Sequence, residues 1–360
     1  MVTALGLLAA CAREAGPVTI AAVGAWDGVE ERSLREGIEQ AAAEVNGEGG
    51  IGGRELRVVF HEDRNDPALA ARIAAELVAD AGVAAVIGHT RSDPTLVAAR
   101  AYDGHLPVVT ARLTSGELAG LSPWVFQLVP SDSAFGAAAA RFAAARGWRR
   151  ASVLFNNTAR GRTTAAHFRA AYAGEIVSQD PATFPVAPVG DMQVFVAYHR
   201  TRQPDVVFAP IGEPRHAEYS REAQTQRLRA AVIGWDVWAS LASDAALPGE
   251  FYYVAPFDLR AERPETRGFV ERFTQAAGHA PGPFAALGYD AVRLLAHAAR
   301  QGGAQRAGIR DALAALSPRA PYAAVIGPVA FTAEGMVTGP QPVIVPLPAR
   351  AGAAAGEVAP

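Results

Sequence analysis

Short apolar segments of strand length alternate with amphipathic helical segments along almost the whole chain, and few architectures accommodate that alternation. Val18 to Val23 is apolar and rich in β-branched residues. Glu30 to Val45 follows with helical spacing, Leu34, Ile38, Ala41, Ala42 and Val45 falling on one face. Leu56 to Phe60 alternates like a strand, and Pro67 opens a helix that runs to about Ala81. Ala84 to Ile87 reads as a buried strand ending at Gly88, a helix follows Asp93-Pro94, and Pro107 to Val109 is the next strand. Apolar strands separated by such helices are βαβ units, which build a parallel sheet.

A second set repeats the rhythm. Ala151–Phe155, Asp205–Phe208, Ala231–Ile233 and Phe251–Val254 read as strands, and Thr163–Tyr172 and Arg215–Gln226 as helices. Helices are expected near Glu265–Ala277, Phe284–Arg300 and Ala307–Leu316, followed by strands at Val325–Phe331 and Val343–Leu347. The last stretch, Ala349 to Pro360, is rich in Ala, Gly and Pro, a composition expected to be disordered. A chain of 360 residues, half of them hydrophobic, suffices for two cores of roughly 150 residues each. The expected fold is α/β: two Rossmann-like lobes with parallel sheets, hinge-connected. Lobe I takes 18–133 plus 256–335 and lobe II takes 134–255 plus 336–348, with a signal and linker over 1–17. Open parallel sheets bind ligands outside the carboxyl ends of their strands, so two facing sheets make a cleft there.

The formal net charge of -3 gives no reason to expect a nucleic-acid partner. The single cysteine, Cys11, forbids an internal disulfide. Met1 to Ala10 is almost wholly apolar or small and ends Leu8-Ala9-Ala10-Cys11, which resembles the bacterial lipobox. Acyl chains on Cys11 would tether a soluble domain to the extracytoplasmic face of a membrane, at the periplasm or cell surface. No Lys or Arg precedes the apolar stretch, which departs from a signal peptide.

Several stretches match a known family in order: Val45-Asn46-Gly47-Glu48-Gly49-Gly50-Ile51-Gly52-Gly53, then His61-Glu62-Asp63 with Asn65-Asp66-Pro67, then Val86-Ile87-Gly88-His89. Ala285-Ala286-Leu287-Gly288-Tyr289-Asp290-Ala291 and Gly327-Pro328-Val329-Ala330-Phe331 continue the match. The chain from residue 18 to about 348 resembles the leucine/isoleucine/valine-binding proteins, the type I periplasmic substrate-binding proteins of ABC importers. The resemblance implies amino-acid transport, a small amino acid or related carboxylate as ligand, and the membrane permease subunits of an importer as partners.

The candidate ligand residues are Ser92, Arg112, Thr114, Asp236, Arg160 and Trp26. The segment from Gly88 to Pro94 leaves a buried strand and enters a helix, a place where free backbone N–H groups and the Ser92 hydroxyl suit an anion. The resemblance puts Ser92 and Thr114 on a ligand carboxylate and Asp236 on a ligand ammonium. Ser92 or Asp93 is alternatively a helix cap, and Asp236 a cap for the helix near Val237. Arg112 stands where the family has a small residue, and Arg160 where it usually has a tyrosine. With Arg91 they suggest a cleft with surplus positive charge and a ligand more acidic than leucine, or a carboxylate without an amine. Each is otherwise a solvent-facing arginine. Trp26, and beside Asp236 the pair Trp235 and Trp238, either pack on the ligand or fill the core.

No catalytic constellation emerges. The eight His show no metal spacing, and there is no GxSxG elbow, P-loop or GxGxxG after a strand. Gly49-Gly50-Ile51-Gly52-Gly53 follows a helix and precedes a strand, the wrong order for dinucleotide binding. The expectation is a non-enzyme without cofactor or metal. The rival use of the same fold is an envelope ligand sensor or regulatory lipoprotein.

Overall fold

The computed structural model describes residues 16–182, 191–243 and 249–347. Cys11 and the 349–360 tail lie outside the described residues. The first sheet gathers five parallel strands: β1 (Val18–Gly24), β2 (Leu56–Glu62), β3 (Val83–Gly88), β4 (Val108–Thr110) and β5 (Val125–Gln127). Their order is β2-β1-β3-β4-β5. Helices α1 (Val29–Gly47), α2 (Pro67–Ala79) and α3 (Ser92–Tyr102) make the crossovers. The β3 strand is buried at every position, which accounts for its uninterrupted apolar run. Asp66 caps α2 by accepting from the N–H groups of Ala68 and Leu69, and Pro67 follows at the first helical position.

The chain then enters α4 (Asp132–Ala145) and a second sheet. Strands β6 (Arg150–Asn156), β7 (Glu175–Ala182), β8 (Val206–Ala209), β9 (Ala231–Gly234) and β10 (Phe251–Ala255) run parallel, joined by α5 (Ala159–Ala171), α6 (Asp191–Arg202) and α7 (Arg215–Thr225). After β10 come α8 (Pro264–Ala277), α9 (Pro283–Gly302) and α10 (Arg306–Ala314). An antiparallel sheet of β11 (Tyr322–Ala324), β12 (Gly327–Phe331) and β13 (Val337–Thr338) follows. The last strand, β14 (Val343–Pro346), returns antiparallel to β10, so the second sheet reads β14-β10-β9-β8-β6-β7.

Helix α9 comes after the second sheet in sequence but packs on α1 beside the first. A Cβ on Gly37 of α1 would lie 1.8 Å from the Ala285 carbonyl oxygen, and one on Gly288 of α9 would lie 2.1 Å from that of Leu34. Only glycine allows so close an approach of two helix backbones. In the other half, a Cβ on Gly136 of α4 would lie 2.2 Å from the Thr164 carbonyl oxygen of α5. The chain therefore passes between the two sheets three times: after β5, after β10 and after β13. Asp290 of α9 pins the return segment by accepting from the N–H groups of Val325 at 2.9 Å and Ile326 at 3.0 Å.

Candidate functional site

Loops leaving the carboxyl ends of strands in both sheets converge on one cleft. The first sheet sends Thr90, Arg91 and Ser92 from β3, and Arg112, Leu113 and Thr114 from β4. The second sends Arg160, in the first turn of α5 after β6, and Asp236 after β9. Together with Phe284 at the start of α9 they line an inner chamber of about 200 Å³. Arg112, Thr114, Asp236 and Phe284 also line a larger adjoining chamber of about 740 Å³, whose other walls are mainly apolar, including Val29, Val129, Phe257, Leu259 and Leu287.

The β3 loop is held rigidly. His89 is buried, with Nδ1 2.7 Å from Asp63 Oδ2 and Nε2 3.2 Å from the Tyr102 hydroxyl. The Thr90 hydroxyl accepts from the Ala25 N–H at 3.2 Å, and a Cβ on Gly24 would lie 2.4 Å from Thr90 Cγ2. Ser92 occupies the first residue of α3, behind an Arg91 cap that contributes no side-chain bond. Among the described residues the Ser92 hydroxyl shows no hydrogen bond to the protein, so the capping alternative is not realised by its side chain and its donor is free to meet a ligand.

Arg112 turns inward. Its side chain is 11% exposed, with Nη1 2.8 Å from Glu31 Oε1 and 3.3 Å from the Thr90 carbonyl oxygen, and Nη2 paired with Glu30. Its Cζ sits 4.9 Å from the Phe284 ring centroid. Burial pushes this guanidinium down to about 10, against the opposing pull of Asp236 and with the added push of Arg160. Arg91 Nη2 lies 2.7 Å from Glu31 Oε1, so the buried Glu31 carboxylate serves two arginines.

Arg160 lines the cleft from the side of the second sheet. Its Nε donates to Asp132 Oδ1 at 3.0 Å and its Nη2 to Asp236 Oδ1 at 3.3 Å, while Cζ lies 4.3 Å from the Trp235 ring centroid. Burial opposes its charge, but Asp236 and Asp132 outweigh that and hold the guanidinium more firmly protonated than usual. Burial raises the Asp132 carboxyl above the ordinary range, against Arg160 and a hydrogen bond from the Thr114 hydroxyl. Asp236 Oδ1 also accepts from the adjacent Val237 N–H at 3.0 Å, and Asp236 is the first residue of the turn that follows β9 rather than its cap.

Five of the six candidate residues therefore meet in one chamber. Trp26 does not. It lies 8% exposed in the core, edge-on to Phe60 at 5.1 Å, with its N–H groups bonded to Glu62 and to the His61 carbonyl oxygen. The indole N–H bond and the contact with Phe60 fix its ring in the core, and it lines neither chamber. Trp238 is likewise core, donating to the Ile211 carbonyl oxygen at 3.0 Å. The aromatic residue shared by both chambers is instead Phe284, legible in the sequence only as a helix start. The expected surplus of positive charge is also corrected. Arg91, Arg112 and Arg160 are matched by Glu30, Glu31, Asp132 and Asp236, three of which stand behind the guanidiniums rather than on the inner wall. Glu30 and Glu31 were missed because they read as ordinary first-turn acids of α1.

The periplasmic binding protein family model matches residues 7–343. This chain belongs to that family. It is a solute-binding protein of the two-lobed α/β type. A Brucella abortus (strain 2308) protein named Leu/Ile/Val-binding protein homolog 2 is 25% identical over 320 residues, covering 84% of this chain and 82% of the relative. A Desulfitobacterium hafniense ABC transporter substrate-binding protein solved with Leu superposes with TM-score 0.80 at 24% identity, covering 92% of this chain and 98% of that one. An R. palustris ABC transporter solute-binding protein solved with benzoate gives TM-score 0.74 at 20% identity, covering 92% of this chain and 96% of that one. These two likenesses show the fold. Among the described residues, no helix is long and apolar enough to cross a membrane.

Proposed function

We propose that this protein is the extracytoplasmic component of an ABC importer and captures a small carboxylate with an apolar body between its lobes. The observation that carries this is the pairing of the two chambers. The inner one offers the Ser92 hydroxyl, the first turn of α3 and guanidinium edges, donors suited to a carboxylate. The outer one, reached past Phe284, offers apolar walls suited to a side chain or ring. Relatives solved with leucine and with benzoate both hold ligands of that construction.

The lobes in this reading are 18–133 with 256–335, and 134–255 with 336–348. They close on the ligand by bending at the three connections, and the closed pair docks on permease subunits. Acylation of Cys11 keeps the protein at the membrane surface. No catalytic step is assigned to the cleft.

A thermal-shift screen over amino acids, aromatic acids and aliphatic monocarboxylates tests the reading. At least one class should raise the melting temperature in a concentration-dependent manner with one-to-one stoichiometry. A flat response across the panel would remove the transport reading.

A further inference from the structure

We propose that Arg160 fills the ammonium position of this cleft, so that the ligand is a monocarboxylate without an α-amino group. This rests on the reading of the cleft as a carboxylate site and narrows its substrate class.

A primary ammonium needs acceptors, preferably a carboxylate. On the wall of the inner chamber the only carboxylate among the described residues is Asp236. Its Oδ1 already accepts from Arg160 Nη2 and from the Val237 N–H. The Thr90 carbonyl oxygen, the neighbouring backbone acceptor, already takes Arg112 Nη1 at 3.3 Å. Three guanidiniums, of Arg91, Arg112 and Arg160, line the same small space. An incoming ammonium would have to share Asp236 with Arg160 or evict that guanidinium from it, since no other carboxylate stands on the inner wall among the described residues.

Eviction of Arg160 is opposed from three sides. Asp132 holds Nε at 3.0 Å, Asp236 holds Nη2, and the Trp235 face lies 4.3 Å from Cζ. Displacement would strand the buried Asp132 carboxylate without its ion partner. A carboxylate meets none of these obstacles, because every side chain on the inner wall that bears a polar group, apart from Asp236, can donate a hydrogen bond. The geometry thus separates two ligands that differ only at the α-carbon. The body goes to the apolar chamber in both, and the amine alone is penalised.

The test is isothermal titration of the full chain with matched pairs: leucine against 4-methylpentanoate, and phenylalanine against 3-phenylpropanoate. The amine-free member of at least one pair should bind ten times more tightly or better. Equal or tighter binding of the amino acid in each pair that binds overturns the inference and leaves the carboxylate reading standing. Absence of binding by all four, together with a flat aromatic-acid panel, overturns the carboxylate reading itself. In Arg160→Ala, with folding checked by circular dichroism, Asp236 is released and the preference for the amine-free ligand should shrink at least threefold. An unchanged preference in that folded variant would show that Arg160 is not its source. The wild-type pairs decide the ligand class even if that variant fails to fold.

Discussion

Arg160 Nη2 stands 3.3 Å from Asp236 Oδ1, and this contact links the first turn of α5 to the segment after β9 on the wall of the ligand chamber. The same guanidinium holds the buried Asp132 at 3.0 Å. Removing it in Arg160→Ala leaves a desolvated carboxylate unpaired, which should cost about 1–3 kcal/mol of stability. Urea unfolding measures the loss. The double variant Arg160→Ala/Asp132→Asn should recover much of it, since no buried charge is then stranded. Losses that simply add would show that Asp132 does not depend on Arg160.

Ser92 and Thr114 supply hydroxyls on the inner wall. Thr114 also lies beside Asp132, whose N–H donates to the Thr114 carbonyl oxygen at 2.8 Å. Hydrogen bonds to a charged group are worth about 1.5–3 kcal/mol. Ser92→Ala with Thr114→Ala should therefore weaken carboxylate binding roughly a hundredfold, with Ser92→Ala alone taking the larger share. Titration calorimetry reads both. Unchanged affinity in the double variant would remove these residues from the site.

Asp290 gives a pH signature unrelated to the ligand. It is 1% exposed, and burial raises its carboxyl to about 7, against the two backbone donors and the more distant Arg263 and Arg293. A folded-state value above the ordinary 3.8 means that the native protein holds a proton the unfolded chain releases. That contribution is complete below about pH 4 and is lost as pH rises through about 7. His199, buried and lowered to about 4, contributes in the opposite sense, losing stability as pH falls below its ordinary 6.5. In Asp290→Asn the Asp290 share disappears. Stability measured by urea should then rise more steeply between pH 4 and 7 than in wild type, while falling by about 1–3 kcal/mol at low pH, because an amide cannot accept both N–H groups as the acid does. A parallel pH profile would contradict the assignment.

Gly37→Ala tests the helix contact that brings α9 back to the first sheet. The new methyl would meet the Ala285 carbonyl oxygen at 1.8 Å, and neither backbone can retreat without disturbing α1. The expected loss is about 1–3 kcal/mol or more by denaturant midpoint. A stability change below a few tenths of that would mean that the helices separate freely. Gly47→Ala, with nothing within 4 Å of its Cβ, is the control.

Most of the fold was legible because the buried strands of a parallel sheet are short apolar runs bounded by helices. Strand β5 and helix α6 also went unread, and two further missed elements, α4 and β7, lack that contrast. Helix α4 is Ala-rich over Ala137–Ala140 and Ala143–Ala145 and shows little apolar periodicity. Strand β7 lies at a sheet edge, carries Ser178, Gln179, Asp180 and Pro181, and reads as a loop. At the site, the family resemblance located Ser92, Arg112, Thr114, Arg160 and Asp236, helped by the strand ends that several of them follow. It gave no account of which charges pair. Glu31, 81 positions from Arg112, neutralises it only through the tertiary fold, and Phe284 reaches the cleft because α9 returns to α1.

The most direct measurement is a crystal structure of the protein with the tightest carboxylate from the titrations. The ligand carboxylate should lie within hydrogen-bond distance of the Ser92 hydroxyl and the first turn of α3, with its apolar body against Phe284 in the larger chamber and Arg160 still on Asp132 and Asp236. A ligand seated outside the cleft, or one whose carboxylate points away from Ser92 into the apolar chamber, would contradict the account.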